Sequence, residues 1–477
     1  MSFHRVLVTS CRELLTLALR TPYNAEKDKD APRSRRFLVV AVAAALLTLG
    51  VWIWWSIAQH RVFWNMIDLN VYYDAAHKEH LNGEDVLYEA NFGGKFGSAD
   101  GLPFIYPPFS ALVFIKLLPL GFGGLKWLMT ITSFASVLAV SWASWGMLGY
   151  RKSAGRLGMA LLTFAAVVWL EPVSWTLIWG QVNLVLLAVI MLDLAQPDSR
   201  WWKGIGIGMA AGFKLTPAIF IVYLVMTRRF RTAAAAVVGF AATALLGLAL
   251  LPHASTKYWT HIGEISGRVN STLSVGTLNN QSLKGMLTRW LHNDTAVSVV
   301  WLVLVAAIVV IAMVAAAKAS LAGRELLGVV IVGTLSLIVS PIAWSHHWVW
   351  VIPAFILLVD AALRHRTRLW WWATAAFFVF YASWPMKINQ QGHWDDRWAL
   401  QPFGLMWLVP RDGNRERRWN VWQFFVGNSY VLAGIALLLV VSWWVLRNLS
   451  AATAAVPEVS EAADGRLPEP ASVAPTG

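Results

Sequence analysis

The residues able to do chemistry in this chain stand in short polar runs between long apolar stretches. Asn65-Met-Ile-Asp68-Leu-Asn-Val-Tyr-Tyr73-Asp74 places two carboxylates just after the first apolar stretch, where a carboxylate is costly unless it is used or paired; each could also cap the helix that follows. Phe104-Ile-Tyr106-Pro-Pro-Phe109 reads as a turn or as a pocket wall. In Ile178-Trp-Gly-Gln181-Val-Asn183 two amides are free to hydrogen-bond sugar hydroxyls or to cap a helix. Lys214, in Ala211-Gly-Phe-Lys-Leu-Thr-Pro217, lies inside an apolar stretch, where it can snorkel or hold a phosphate beside a half-helix. Asn279-Asn280-Gln281-Ser282 adds three more amides. His346 and His347 close Ser340-Pro-Ile-Ala-Trp-Ser-His-His-Trp348, where adjacent imidazoles can serve an anion, a proton or a metal. No cysteine or HExxH pattern accompanies them, so zinc is weakly supported.

The elements that must position these groups follow from composition. Of 477 residues 57% are hydrophobic, only 14% are charged and 29 are Trp, which places most of the chain in lipid. Residues 37–57 form an uncharged run as long as the ~20 residues that a crossing needs. The run is too long for a signal peptide and ends in Trp52, Trp54 and Trp55, as an interfacial belt does. Cys11 is the single cysteine, so no intramolecular disulfide forms. The net charge of +13 falls in separate clusters, which argues against nucleic acid and for topology. Arg33, Arg35 and Arg36, then Arg151, Lys152 and Arg156, then Arg228, Arg229 and Arg231, then Arg364, Arg366 and Arg368 mark cytoplasmic connections.

Counting crossings between those clusters gives an all-α integral membrane protein with about twelve spans, near 37–58, 123–148, 157–170, 184–196, 203–213, 216–227, 232–251, 296–317, 325–340, 347–363, 369–384 and 428–446. Two segments cannot be ordinary spans. Residues 105–120, with Pro107, Pro108 and Pro119, are expected as a re-entrant or juxtamembrane helix, and 204–226 as two half-helices broken near Lys214 and Pro217. Both termini are then cytoplasmic. External connections fall at 59–104, 171–183, 252–295, 341–346 and 385–427. The organisation is a cytoplasmic segment 1–36, whose residues 5–20 could lie as an interfacial helix or fray as a polar tail, a membrane domain 37–446 and a disordered cytoplasmic tail 447–477.

Over residues 37–446 the chain resembles the polyprenyl-phosphate-mannose-dependent α-1,2-mannosyltransferases of the GT-C superfamily that build phosphatidylinositol mannosides and lipomannan. The resemblance rests on Asp68-Leu-Asn-Val-Tyr-Tyr, Tyr106-Pro-Pro, Trp179-Gly-Gln-Val-Asn, Lys214-Leu-Thr-Pro, Asn280-Gln-Ser and Ser345-His-His-Trp in one order. It implies a GT-C fold with external re-entrant helices, and Asp68 as catalytic base of an inverting transfer. Lys214 with His346 or His347 would hold the donor phosphate, and Tyr106, Gln181, Asn183, Asn280 and Gln281 would line the sugar pocket. The implied partners are a polyprenyl-phosphate-mannose donor, a glycolipid acceptor and membrane lipids. No cofactor and no obligatory metal is expected. The site would open on the outer face of the plasma membrane.

A polyprenyl-phosphate-arabinose-dependent arabinosyltransferase and a lipid-linked sugar flippase are the alternatives. Loop 385–427 carries Arg415, Arg417 and Arg418, which could engage an inositol phosphate, and Trp384, Trp394, Trp398, Trp407, Trp419 and Trp422, which could hold the loop at the interface. With Cys11 replaced, a cysteine at Asp412 is expected to react with an impermeant thiol reagent on intact cells and one at Ser153 is not; labelling of position 153 from outside would reverse the topology.

Overall fold

A computed structural model describes residues 29–32, 34–58, 66–94, 101–272, 275–397, 400–412 and 414–449. The expectations for residues 5–20 and Cys11, for Arg33, for Trp398 and for 450–477 lie outside the described residues.

The first half of the chain runs through α1 (Arg35–Ala58), α2 (Ile67–Asn82), the paired strands β1 (Asn91–Phe92) and β2 (Leu102–Pro103), α3 (Pro108–Leu117), α4 (Gly121–Met147), α5 (Ala154–Val167), α6 (Glu171–Trp179) and α7 (Asn183–Leu194). It continues with α8 (Ile205–Phe213), α9 (Ile219–Met226), α10 (Phe230–Leu250), α11 (Pro252–Thr260) and α12 (Ile262–Thr272). The second half has α13 (Leu283–Leu291), α14 (Asp294–Leu321), α15 (Glu325–Val339), α16 (Val351–His365) and α17 (Arg368–Tyr381), the antiparallel pair β3 (Trp384–Met386) and β4 (Gln401–Phe403), then α18 (Val421–Gly427) and α19 (Ser429–Asn448).

Five helical runs among the described residues are long and apolar enough to cross a bilayer: Arg35–Ala58, Pro108–Met147, Phe230–Leu250, Asp294–Leu321 and Ser429–Asn448. The chain is thus a helical membrane protein. Residues 105–120 are helical from Pro108 and pass through a 3-10 turn at Leu118–Leu120 into α4. The connection read at 171–183 is not a loop. It holds α6, opened by Pro172 and closed by Gly180 in the left-handed region, and α7 leaves it at 116°. At nine residues α6 is too short to show a period in the sequence.

The helix break at Lys214 is present. Its backbone is extended (φ −148°, ψ 128°), and a 3-10 turn at Thr216–Ala218 leads into α9. What fixes this break in place is α8 on α10. Gly204, Gly208 and Gly212 recur every fourth residue on one face of the chain, and a Cβ at Gly208 would overlap the Ala236 carbonyl of α10. At Gly204 it would meet the Thr232 carbonyl and at Gly212 the Thr243 hydroxyl. Such small-residue faces let two helix backbones touch where lipid offers no hydrophobic drive. Gly208→Leu is expected to separate α8 from α10, costing about 3 kcal/mol from forced overpacking, seen as a lower melting temperature in detergent; an unchanged melting temperature would contradict the close contact.

Candidate active site

Asp68 sits in the first turn of α2, yet it does not cap it. The capping position is Met66, in the left-handed region (φ 46°) with no side-chain cap bond. The Asp68 carboxylate turns away to accept from Gln181 Nε2 at 2.8 Å. Gln181 is placed by the α6–α7 bend, where Gly180 takes φ +66° and a Cβ would come within 2.7 Å of Leu69 Cβ on α2. The other face of the Gln181 amide is fixed as well: Oε1 accepts from the Tyr72 hydroxyl at 2.7 Å, from Tyr106 at 3.1 Å and from the Val182 N–H at 3.0 Å. Asp74 has a different task. It accepts from Gly93 N–H at 2.9 Å and pairs with Lys78 at 3.2 Å, tying α2 to the first strand.

Asp68 opens on a cavity of about 600 Å³, bordered also by Tyr72, Tyr106, Gln181, Lys214 and His347. The Asp68 side chain keeps 16% of its surface exposed while Gln181 and Tyr106 are buried. Burial lifts the Asp68 carboxyl to about 6, and the Gln181 hydrogen bond and the Lys214 charge hold it from rising further. Lys214 Nζ donates to Asn183 Oδ1 at 2.9 Å and stands 5.1 Å from the Tyr106 ring centroid. Lys214 therefore lies inside the site instead of reaching for an interface.

The two histidines divide. His347 borders the cavity, and its Nε2 has no hydrogen-bond partner among the described residues. His346 is buried behind Asp68, with Nε2 3.6 Å from Oδ2 and its ring 4.5 Å from Trp179. Burial, with Lys214 nearby, presses His346 well below the usual imidazole range, so it stands neutral. Of the two imidazoles expected to help hold a phosphate, His347 borders the cavity and His346 stands as a neutral neighbour of the carboxylate.

Asn183 meets the cavity only through Lys214, and two further groups of expected residues do not border it. Asn280 and Gln281 are fully buried, and their amides are spent on backbone. Asn280 Oδ1 accepts from Ala343 N–H at 3.0 Å and its Nδ2 gives to the Val275 and Pro341 carbonyls; Gln281 Nε2 gives to those of Leu278 and Gly427, both at 2.7 Å. They hold the turn that carries the histidines. Arg415, Arg417 and Arg418 form a 3-10 turn away from the cavity. Arg415 Nη1 is turned onto the carbonyls of Arg411 and Asp412, and buried Glu416 accepts from the N–H groups of Leu278 and Asp412, which leaves Arg417 and Arg418 facing out.

Residues 104–341 match the model of glycosyltransferase family 87. Over 85% of this chain, and 92% of the relative, it is 31% identical to a protein of Mycobacterium tuberculosis (strain CDC 1551 / Oshkosh) named polyprenol-phosphate-mannose-dependent alpha-(1-2)-phosphatidylinositol pentamannoside mannosyltransferase. The chain belongs to glycosyltransferase family 87. A second relative of that name, from Mycolicibacterium smegmatis, is 31% identical over 72% of this family 87 chain and 83% of its own. A third, from Mycobacterium tuberculosis (strain ATCC 25618 / H37Rv), is named polyprenol-phosphate-mannose-dependent alpha-(1-2)-phosphatidylinositol mannoside mannosyltransferase; it is 27% identical over 82% of this chain and 89% of its own. No solved structure matches.

Reading the family 87 sequence residue by residue missed Glu171, which has no exposed surface. Its carboxylate accepts from Ser345 Oγ and Trp407 Nε1, each at 2.9 Å, and from the Tyr430 hydroxyl at 3.1 Å. Ser345 precedes the histidine pair, so Glu171 supports that turn from behind. The available signal was a carboxylate before a proline at the edge of an apolar stretch, which is costly without partners. Glu171→Ala would strand buried donors at about 1 to 3 kcal/mol each. The purified variant is expected to melt at clearly lower temperature than wild type; equal melting temperatures would mean that the three bonds add nothing.

Proposed function

We propose that the protein transfers mannose from a polyprenyl-phosphate-mannose donor to a hydroxyl of a phosphatidylinositol mannoside or lipomannan-type glycolipid, forming an α-1,2 linkage with inversion at the outer face of the membrane. The observation that carries this reading is the Asp68 carboxylate, held by Gln181 and open to a cavity that Lys214 also borders, in a chain whose relatives are named for that donor and linkage. The twelve crossings and the GT-C arrangement are part of the same proposal. The relatives' names favour mannose over arabinose as the donor sugar.

The geometry supports the following reaction. Asp68 takes the proton of the attacking acceptor hydroxyl as its oxygen bonds to the anomeric carbon. On the opposite face the bond from that carbon to the phosphate oxygen breaks, and its electron pair leaves on the phosphate, giving polyprenyl phosphate. The Lys214 ammonium, fixed by Asn183, and a His347 N–H meet the phosphate as its charge develops. The polyprenyl chain cannot leave lipid cheaply, at about 0.8 kcal/mol per buried CH₂, so the cavity must reach the bilayer sideways.

The base is active when ionised. Log(kcat/KM) is therefore expected to fall with decreasing pH below about 6, the value to which burial lifts Asp68. Asp68→Asn should lose about 10²- to 10⁴-fold in turnover while still binding donor. Gln181→Leu removes a hydrogen bond that favours the carboxylate, so its acidic limb should move to higher pH. Mannosyl transfer from the purified protein at varied pH checks all three; an Asp68→Asn chain turning over at the wild-type rate removes the base from the mechanism.

A further inference from the structure

We infer that Lys284 binds a lipid-borne phosphate where the cavity reaches the bilayer. The inference rests on the proposed function and adds a second anion contact to the same site. Among the described residues three formally charged side chains border the cavity: Asp68, Lys214 and Lys284. Two ammonium groups face one carboxylate, so the described part of the wall has an excess positive charge. Lys214 is engaged with Asn183, the Tyr106 ring and the field of Asp68. Lys284 is not engaged in that way. Among the described residues its ammonium has no hydrogen bond and no ion pair, and it rests 4.9 Å from the Trp301 ring centroid.

The base of Lys284 is rigid. It stands in the first turn of α13, where Ser282 Oγ accepts from Gly285 N–H at 3.0 Å and donates to Pro341 O at 3.0 Å. At the far end of that helix buried Arg289 gives to Asn428 Oδ1 and to the Thr277 and Asn280 carbonyls. Trp301 belongs to α14, one of the five membrane-length helices, whose Val299, Leu302 and Val303 are 56%, 58% and 65% exposed. Lys284 thus joins the cavity to an apolar outer surface. Another part of the wall is roomy: a Cβ on Gly263 or Gly267, which border the cavity on α12, would touch nothing within 4 Å among the described residues. A phosphate seated at Lys284 sends its lipid chain out over α14 and leaves its sugar inside, toward Asp68. A half-buried cation at the lipid boundary, with no carboxylate on it, suits that anion.

Both substrates of the proposed reaction have such a phosphate, a polyprenyl phosphodiester on the donor and a phosphatidylinositol diester on the acceptor. Steady-state transfer by the full-length protein in nanodiscs separates them, with polyprenyl-phosphate-mannose varied at saturating phosphatidylinositol mannoside and then the reverse. Lys284→Met is expected to raise the KM of one substrate about tenfold or more, the size of a lost charge-assisted hydrogen bond, with kcat and the other KM within about twofold. Lys284→Arg should recover most of the loss. A raised donor KM assigns the site to the polyprenyl phosphate, and a raised acceptor KM to the inositol lipid. Both KM values unchanged, or a loss of kcat and melting temperature with neither KM moved, would overturn the inference and leave the proposed function standing. Should wild type transfer no mannose, the proposed function fails by itself. Weaker binding of polyprenyl phosphate and of phosphatidylinositol vesicles to Lys284→Met than to wild type then tests Lys284 alone, and equal binding of both overturns it.

Discussion

A carboxylate lifted by burial stays ionised near neutral pH only if something stabilises the charge, and here the hydrogen bond from Gln181 to Asp68 does so. Much of the surrounding architecture serves that bond. Gly180 lets the α6–α7 bend lie against Leu69, which brings residue 181 to the first turn of α2. Tyr72, Tyr106 and the Val182 N–H occupy the carbonyl end of the amide, so that only its NH₂ end can point at the carboxylate. The amide orientation is set by its neighbours, and with the Lys214 charge it limits the rise that burial imposes on Asp68.

A second group of residues works at one remove. The turn that carries His346 and His347 hangs from main-chain and side-chain bonds at its back: Gln281 N–H to Ala343 O at 2.8 Å, Ser345 N–H to Asn279 O at 2.8 Å, Thr176 Oγ1 to His346 O at 2.6 Å and Ser345 Oγ to Glu171 Oε1 at 2.9 Å. The amides at 280 and 281 are as unusual in an apolar chain as those at 181 and 183, and for the same reason. Where water is scarce every backbone donor and acceptor outside a helix needs a protein partner. A polar side chain can meet that need as readily as it can meet a substrate.

That ambiguity marks the boundary of what the residues alone revealed. The apolar runs lead directly to the five membrane-length helices, because lipid imposes a length and a hydropathy that can be read off the chain. The helix break at Lys214 was legible from Pro217 and from charge parity. Asp68, Tyr106, Gln181, Lys214 and His347 meet around one cavity, as polar residues in a dry protein tend to. Asn280 and Gln281, chosen by the same rule, turned out to hold backbone, since residue type does not say which way an amide faces. The Arg415–Arg418 cluster was placed by charge alone, and charge gives no direction; buried Glu416 turns its neighbours outward. Glu171 and α6 were missed because a nine-residue buried helix has neither a period nor a length that the sequence displays.

The Glu171 carboxylate joins parts of the chain that are made far apart in time. Its partners are 174, 236 and 259 residues further along, at Ser345, Trp407 and Tyr430. The set is not complete until the last of those residues, Tyr430, has left the ribosome and α19 has begun to enter the bilayer. The brace behind the histidine turn is therefore the last part of the site to close during synthesis. A nascent chain can hold Asp68 against Gln181 long before it can hold His346 and His347 in place.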